Sequence, residues 1–150
     1  YSKVETPYIF HCEDDWEFFH DGFIGNSKSV LEAEPKAACV WLRHPQDRNN
    51  HTVLPGIKLT KQAVRYQQLA VRYKGDWHGM TWNPGLRRLA DYKAMGKFSN
   101  FCQWRDNDHA FAEKQYNRKY YEAGYLGFTL CRGFVKHIGH LHSLKKLQVR

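Results

Sequence analysis

Three consecutive carboxylates constrain this chain more than any other feature. Glu13, Asp14 and Asp15 follow a run of largely apolar residues in the segment YIFHCEDDW. The run predicts a buried strand over residues 7–13, so the carboxylates are expected at a strand end. Adjacent negative charges repel one another unless a cation joins them. Because hard divalent ions take oxygen ligands, the segment predicts a site for Mn²⁺ or Mg²⁺.

The place of the carboxylates also bears on what they bind. In open α/β sheets, ligands bind outside the carboxyl ends of the strands. Alternation along a strand is expected to put Glu13 and Asp15 on one side and Asp14 on the other. A metal held there could bridge a nucleoside diphosphate. The alternative is a solvated acidic turn that caps the next helix, but three carboxylates exceed what a cap needs.

Length and charge limit the remaining possibilities. The 150 residues fit one domain, and 42% hydrophobic residues are enough for a core. The net charge of +8 favours anionic partners such as nucleic acid, anionic lipid or a phosphorylated substrate. The four cysteines show no metal-binding spacing and are expected to be buried free thiols. Free thiols indicate a reducing compartment, so we expect a cytoplasmic location, with peripheral membrane contact left open, and no 18-residue apolar run predicts a membrane span.

The pattern of apolar, Gly and Pro residues predicts a mixed α/β fold. A short helical turn is expected after Trp16, a polar loop over residues 44–61, and a turn at Asn83-Pro84-Gly85. Strands are predicted over residues 7–13, 37–43, within 62–76, 77–82, 125–131 and 134–138. Helices are predicted over residues 27–34, 86–95 and 107–123.

The acidic segment resembles the strand-and-EDD variant of the DxD metal motif in GT-A-type glycosyltransferases, with a family-2-like arrangement. Further similarities follow in order along most of residues 7–140: an acceptor-side turn, an acidic motif, a helix stop and a C-terminal HxG. These lie in WNPGL (82–86), DHAFAE (108–113), EAGY (122–125) and VKHIG (135–139). The resemblance implies a partial GT-A, Rossmann-like sheet flanked by helices. It also implies that the nucleotide-binding strands precede this chain, which would be a single-domain fragment of a longer enzyme.

The resemblance assigns roles to residues. Glu113 would be the catalytic base, with Asp108 and Asp106 as the nearest substitutes. Asp15, Glu13 and His137 would hold the metal, and Trp82 with Asn83 would face the acceptor. Glu13 and Asp14 would position the nucleotide. The acidic motif here is Ala112-Glu113-Lys114, where the family has a Glu-Asp pair.

Other residues are candidates on their own chemistry. Arg43 ends a predicted strand and is the best single candidate for a phosphate contact. His140 and His142 are weaker candidate ligands than His137. The aromatic side chains of Trp77, Trp82, Trp104 and Tyr92 could stack on a sugar ring, although aromatic residues more often pack in cores. The other basic pairs, Arg87-Arg88 among them, are expected on solvated faces.

The predicted function is transfer of a sugar from a nucleoside-diphosphate sugar to a hydroxyl of a glycan or lipid-linked acceptor, with inversion. The sequence does not define the donor, the acceptor or an oligomeric state. The alternative is a basic nucleic-acid-binding module without catalysis, which the net charge allows. For the predicted sugar transfer we expect no specific nucleic-acid partner. A metal-dependent phosphoesterase or nuclease would share the carboxylates but lacks a second set of ligands.

Overall fold

A mixed β-sheet forms the centre of the protein. The structure is a computed structural model that describes residue 1 and residues 3–48, 51–71, 77–101 and 109–139. The strands of the main sheet are β1 (Tyr8–His11), β3 (Ala37–Trp41), β4 (Lys58–Leu59), β5 (Arg65–Gln68), β6 (Gly85–Arg88) and β7 (Leu126–Leu130). Their spatial order is β1-β6-β3-β7-β5-β4. A second, two-stranded sheet pairs β2 (Trp16–Phe18) with β8 (Val135–His137).

Helices flank the main sheet. They are α1 (Phe23–Ala33), α2 (Leu89–Met95) and α3 (His109–Glu122), with a 3-10 helix over Phe98–Phe101. One buried cluster packs α1 against the sheet through Val30, Leu31, Val40, Leu86 and Phe128. Another joins α2 and α3 to the sheet through Ala38, Met95, Tyr116 and Tyr120. The predicted mixed α/β class, a sheet flanked by helices, is confirmed.

Strand direction gathers several segments at one edge of the sheet. Strands β3 and β7 are parallel, and β6 runs antiparallel to both β1 and β3. Strands β1, β3 and β7 therefore end at the same edge, which we call the carboxyl edge. Gly85 begins β6 at this edge, opposite His11 and Trp41. The acidic segment after β1, the segment after β3 and the Trp82–Pro84 segment before β6 all emerge there.

Several predicted elements match the structure closely. Strands β3 and β7 occupy most of the predicted ranges 37–43 and 125–131, and β8 lies within 134–138. Strand β5 falls within the predicted range 62–76. The described part of the predicted helix 107–123 is α3, which is followed by Gly124 with a φ of 80°. Helix α1 ends before Pro35 as predicted but begins at Phe23, four residues earlier than expected.

Five predictions about elements were wrong. The first strand ends at His11, and the segment after Trp16 is strand β2 because it pairs with β8. The helix predicted over residues 86–95 begins only at Leu89, because β6 fills the gap between β1 and β3. The polar loop 44–61 contains β4, and residues 77–82 form no strand. Strands β2 and β6 depend on pairing partners distant in sequence, which a local pattern cannot reveal.

Candidate functional site

Asp15 and His137 meet at the carboxyl edge. Asp15 lies in the turn between β1 and β2, and β2 pairs with β8, which ends at His137. The Oδ2 atom of Asp15 lies 2.9 Å from Nε2 of His137, and the Ile138 N–H donates to the Asp15 carbonyl at 2.9 Å. Both side chains are more than a third exposed. The fold thus brings together two residues that the sequence analysis predicted as metal ligands.

The Asp15–His137 pair fits part of a divalent metal site. Two neighbouring ligands of an octahedral ion, each roughly 2.1 Å from it, lie about 3 Å apart. The other oxygen of Asp15, Oδ1, is buried and has no hydrogen-bond partner among the described residues. A mixed histidine and carboxylate donor set suits Mn²⁺ better than Mg²⁺. Within the described residues no group of three or more such side chains forms a complete metal site. Substrate oxygens or water would have to supply the remaining ligands.

Gly139 packs closely against Asp15 and His137. A Cβ atom at residue 139 would lie 2.6 Å from Asp15 Oδ2 and 3.1 Å from His137 Nε2. No residue larger than glycine fits there without moving one of the two side chains. The close contact with Asp15 and His137 therefore explains why the last residue of the HxG sequence is a glycine.

Glu13 faces a different neighbour from Asp15. Because β1 ends at His11, the alternation argument that placed both side chains on one side does not apply. Glu13 accepts a hydrogen bond from Trp16 Nε1 at 3.4 Å and lines a cavity that also contains Glu113. Burial, and after it the charges of Glu13, Asp15 and Asp14, raise the pKa of the Cys12 thiol.

The cavity beside Glu13 contains the predicted catalytic base. It has a volume of about 390 Å³ and is lined by His11, Glu13, Trp82, Phe98, Ala110 and Glu113. Glu113 Oε1 accepts hydrogen bonds from the Trp82 N–H and the Thr81 hydroxyl, both at 2.9 Å. Burial raises the pKa of Glu113, and these hydrogen bonds act in the opposite direction. A carboxyl group with a raised pKa, held in a cavity, is suited to proton transfer near neutral pH.

Of the two predicted acceptor residues, Trp82 lines the cavity, whereas Asn83 is not among its lining residues. Trp82 lines the cavity, but its ring already packs against Tyr116, with a centroid distance of 5.8 Å and an interplanar angle of 11°. It belongs to an aromatic cluster with Phe98 and His11. The Asn83 N–H donates to the Thr81 hydroxyl at 3.2 Å. Trp82 therefore shapes the cavity as part of a packed group, and a sugar contact remains a prediction.

Arg43, the predicted phosphate contact, has protein partners in this structure. Its Nη2 donates to Asp47 Oδ1 at 3.0 Å, and its guanidinium lies 5.0 Å from the centre of the Trp16 ring. Asp47 also accepts a hydrogen bond from the His137 N–H at 3.4 Å. Arg43 and Asp47 thus form a supporting layer behind His137, and a phosphate contact by Arg43 stays a prediction.

The structure also adds residues that sequence reasoning missed. Asn117 lies one helical turn after Glu113, and its Oδ1 accepts a hydrogen bond from the Met80 N–H at 3.1 Å. His11 lines the cavity, and burial, followed by the charge of Arg87, lowers its pKa to about 4. The i, i+4 spacing of Glu113 and Asn117 was the one available sequence signal. Several predicted candidates lie outside the described residues: Trp104, Asp106, Asp108, His140 and His142.

Two further expectations concern the burial of the cysteines and the presence of membrane-spanning helices. Among the three cysteines of the described residues, Cys39 is buried, Cys131 partly exposed and Cys12 exposed, so the expectation of buried thiols is correct there only for Cys39, and Cys102 lies outside the described residues. No helix in the described part of the chain is long and apolar enough to cross a membrane.

Comparisons with protein-family models, with curated proteins and with solved structures found no match. Function is therefore inferred from the chemistry of the site.

Proposed function

We propose that this protein is a metal-dependent glycosyltransferase of the GT-A type. It would transfer a sugar from a nucleoside-diphosphate sugar to a hydroxyl group of a glycan or lipid-linked acceptor, with inversion. The observation that carries this proposal is the contact between Asp15 and His137, 2.9 Å apart, at the same sheet edge as the Glu113 cavity. Such a transfer requires a metal ion at the diphosphate and a carboxyl base at the acceptor hydroxyl.

Each residue of the site has a role in the proposed reaction. Asp15 and His137 would hold Mn²⁺ or Mg²⁺, and when bound the ion would neutralise charge on the departing diphosphate. Glu113 would accept the proton of the acceptor hydroxyl as its oxygen bonds to the anomeric carbon and the bond to the diphosphate breaks. Because both hydrogen bonds end on Oε1, this proton would go to Oε2.

Glu13 connects the two parts of the site. It lines the Glu113 cavity, while Trp16, to which it is hydrogen-bonded, packs against His137 with ring centroids 4.8 Å apart. In the proposal Glu13 helps to orient the nucleotide. Its negative charge also repels other anions from the cavity that contains Glu113. The proposal places the reaction in the cytoplasm, where a lipid-linked acceptor would bring the enzyme to a membrane surface.

The nucleic-acid-binding alternative receives less support. Several basic side chains that would have to face a phosphate backbone have partners within the protein. Arg43 pairs with Asp47, Lys58 with Glu34 and Arg88 with Asp91, while Arg87 is buried.

A thermal-shift series tests the proposal. Mn²⁺ is titrated alone and together with UDP or GDP, on the wild-type protein and on Asp15→Ala and His137→Ala. We expect Mn²⁺-dependent stabilisation that is lost in both variants, and we expect UDP or GDP to add little to it. Asp21→Ala is the control, because Asp21 is an exposed carboxylate that lies outside the site. Stabilisation by Mn²⁺ that persists in Asp15→Ala, or that never appears when the wild-type protein is titrated with Mn²⁺, would refute the proposal.

A further inference from the structure

Arg87 is a buried cation in the middle of the sheet. It lies on β6 opposite Ile9 of β1, and only 1% of its surface is exposed. Its Nη2 donates to the Thr81 carbonyl at 2.9 Å. Its Nε and Nη1 are also buried and have no hydrogen-bond partner among the described residues. The expectation that Arg87 lies on a solvated face was wrong. Burying a guanidinium is unfavourable unless surrounding groups compensate for it, so its position calls for an explanation.

The contacts of Arg87 lead to Glu113. Besides the Thr81 carbonyl, the guanidinium contacts the Trp82 ring, 4.4 Å from its centre. Thr81 and Trp82 are the two residues that donate hydrogen bonds to Glu113 Oε1. From the other side, Asn117 holds the preceding residue, Met80. The segment that orients Glu113 is therefore fixed between α3 and Arg87.

We propose that Arg87 is a positioning residue for Glu113. It fixes Thr81 and Trp82, which hold the carboxylate at the cavity, and it places a positive charge behind that carboxylate. This inference rests on the proposed role of Glu113 as the base. The other charged or titratable groups of the described chain that face the cavity are Glu13 and His11. The negative charge of Glu13 opposes ionisation of Glu113, and the positive charge of Arg87 favours it.

The electrostatics around Arg87 agree with this role. Its charge acts to lower the pKa of Glu113, against the larger effect of burial. The same charge contributes to the lowered pKa of His11. An arginine keeps its charge at any physiological pH, which makes it a constant source of positive potential in a site where other groups titrate.

The neighbouring residue, Arg88, provides a matched control. It lies next to Arg87 on β6 but donates to the carbonyls of Leu31, Glu34, Pro35 and Ala37 near the end of α1, and to Asp91. These bonds anchor the C-terminus of α1 and do not touch Thr81, Trp82 or Glu113. Loss of Arg88 should lower stability and leave the Glu113 contacts unchanged.

The test follows the backbone amide signal of Trp82 by NMR in Arg87→Met, Arg87→Lys and Arg88→Met. Glu113→Gln identifies the signal, because it removes the charge from the acceptor of that N–H. We expect the signal to move in Arg87→Met, to move less in Arg87→Lys, and to stay in place in Arg88→Met. An unmoved signal in folded Arg87→Met would overturn the inference. If Arg87→Met does not fold, Arg87→Lys decides in the same way, since lysine cannot reproduce the guanidinium contacts.

Turnover of a sugar nucleotide separates this inference from the proposed function. With transferase activity present, Arg87→Met should lower kcat by roughly 10- to 100-fold at an unchanged KM for the donor, as expected for a displaced base. Arg87→Lys should restore part of the loss. If Mn²⁺ fails to stabilise the wild-type protein while the Trp82 signal still depends on Arg87, the positioning role holds and the transferase proposal fails. A kcat unchanged in Arg87→Met, in an active protein, would contradict the positioning role.

Discussion

The contact of Gly139 with the Asp15–His137 pair leads to a sharp prediction. Alanine at this position would bring its Cβ to 2.6 Å from Asp15 Oδ2 and 3.0 Å from Asp15 Cβ. Because ordinary contact begins at 3.4 Å, the Asp15 carboxylate would have to move by roughly 0.8 Å. The φ angle of Gly139 is not in the left-handed region, so the effect of the substitution is steric and not a matter of backbone strain.

The displacement is large on the scale that metal binding tolerates. Distances between a metal ion and its ligands vary by only about 0.2 Å. A shift of this size would therefore move the Asp15 carboxylate out of the position from which it and His137 could bind one ion together. We expect Gly139→Ala to weaken Mn²⁺ binding by roughly 10- to 100-fold, comparable to losing an outer-shell partner. The overall free energy of unfolding without metal should change little, because Asp15 is partly exposed and can rotate away.

The assay is Mn²⁺ titration followed by the EPR signal of the free ion, with urea unfolding of the metal-free protein alongside. Gly25→Ala is the matched control: Gly25 lies within α1, and a Cβ there meets nothing within 4 Å. That change should raise the free energy of unfolding by about 0.5–1 kcal/mol and leave Mn²⁺ affinity unchanged. Mn²⁺ affinity in Gly139→Ala equal to that of the wild type would refute the assignment of the metal to this pair.

Two predictions concern pH. Burial raises the pKa of Glu113 above its ordinary 4.5, so its ionisation opposes folding as pH rises through the raised value. Glu113→Gln should therefore be more stable than the wild type at neutral pH, and the difference should vanish below pH 4.5 in urea unfolding. The pKa of His11 falls from 6.5 to about 4, so folding loses stability as pH drops between these values. The shift corresponds to roughly 3 kcal/mol, or about 1–2 kcal/mol after screening of this half-buried ring, and His11→Gln should lose less over the same range.

Separate outcomes would contradict the two pH predictions. For Glu113, the comparison is Glu122→Gln on the same helix, where the carboxylate is exposed and paired with Arg118. If both glutamine variants respond to pH in the same way, burial of Glu113 is not the cause. For His11, equal acid sensitivity of the wild type and His11→Gln between pH 6.5 and 4 would show that the ring does not resist protonation.

The sequence was informative about the fold where local pattern and long-range pairing agreed. Strand β3 is an apolar run buried at every position, and α3 begins and ends near its predicted limits in the described chain. Residues 86–88 carried a pattern compatible with a helix and became a strand, because β1 and β3 both offered backbone groups that needed partners. Residues 80 and 82 read as a strand, but their N–H groups bond to side chains of α3. The local sequence pattern shows neither the pairing of residues 86–88 with β1 and β3 nor the hydrogen bonds of residues 80 and 82 to α3.

For the site, residue type was a better guide than geometry. Asp15, His137 and Glu113 were named as candidates from their residue types, and the structure brings the first two into contact, while the roles of all three stay predictions. The relation of Glu13 to Asp15 was not predictable, because it depended on where β1 ends. The buried position of Arg87 was equally hidden, since an arginine pair next to a helix ordinarily indicates solvent exposure.

The strand order also has a consequence for how the protein folds. Strand β1 pairs with β6, whose residues are synthesised long afterwards, and β2 pairs with β8, which comes later still. Pairings between distant segments form slowly, since a large loop must close before they gain any contact. The inner strands β3 and β7 can form a framework that lacks Asp15 in its final place. We therefore expect the Asp15–His137 pair to form in the last steps of folding, so that Mn²⁺ binding, if the proposed site is correct, would begin only when the whole fold is complete.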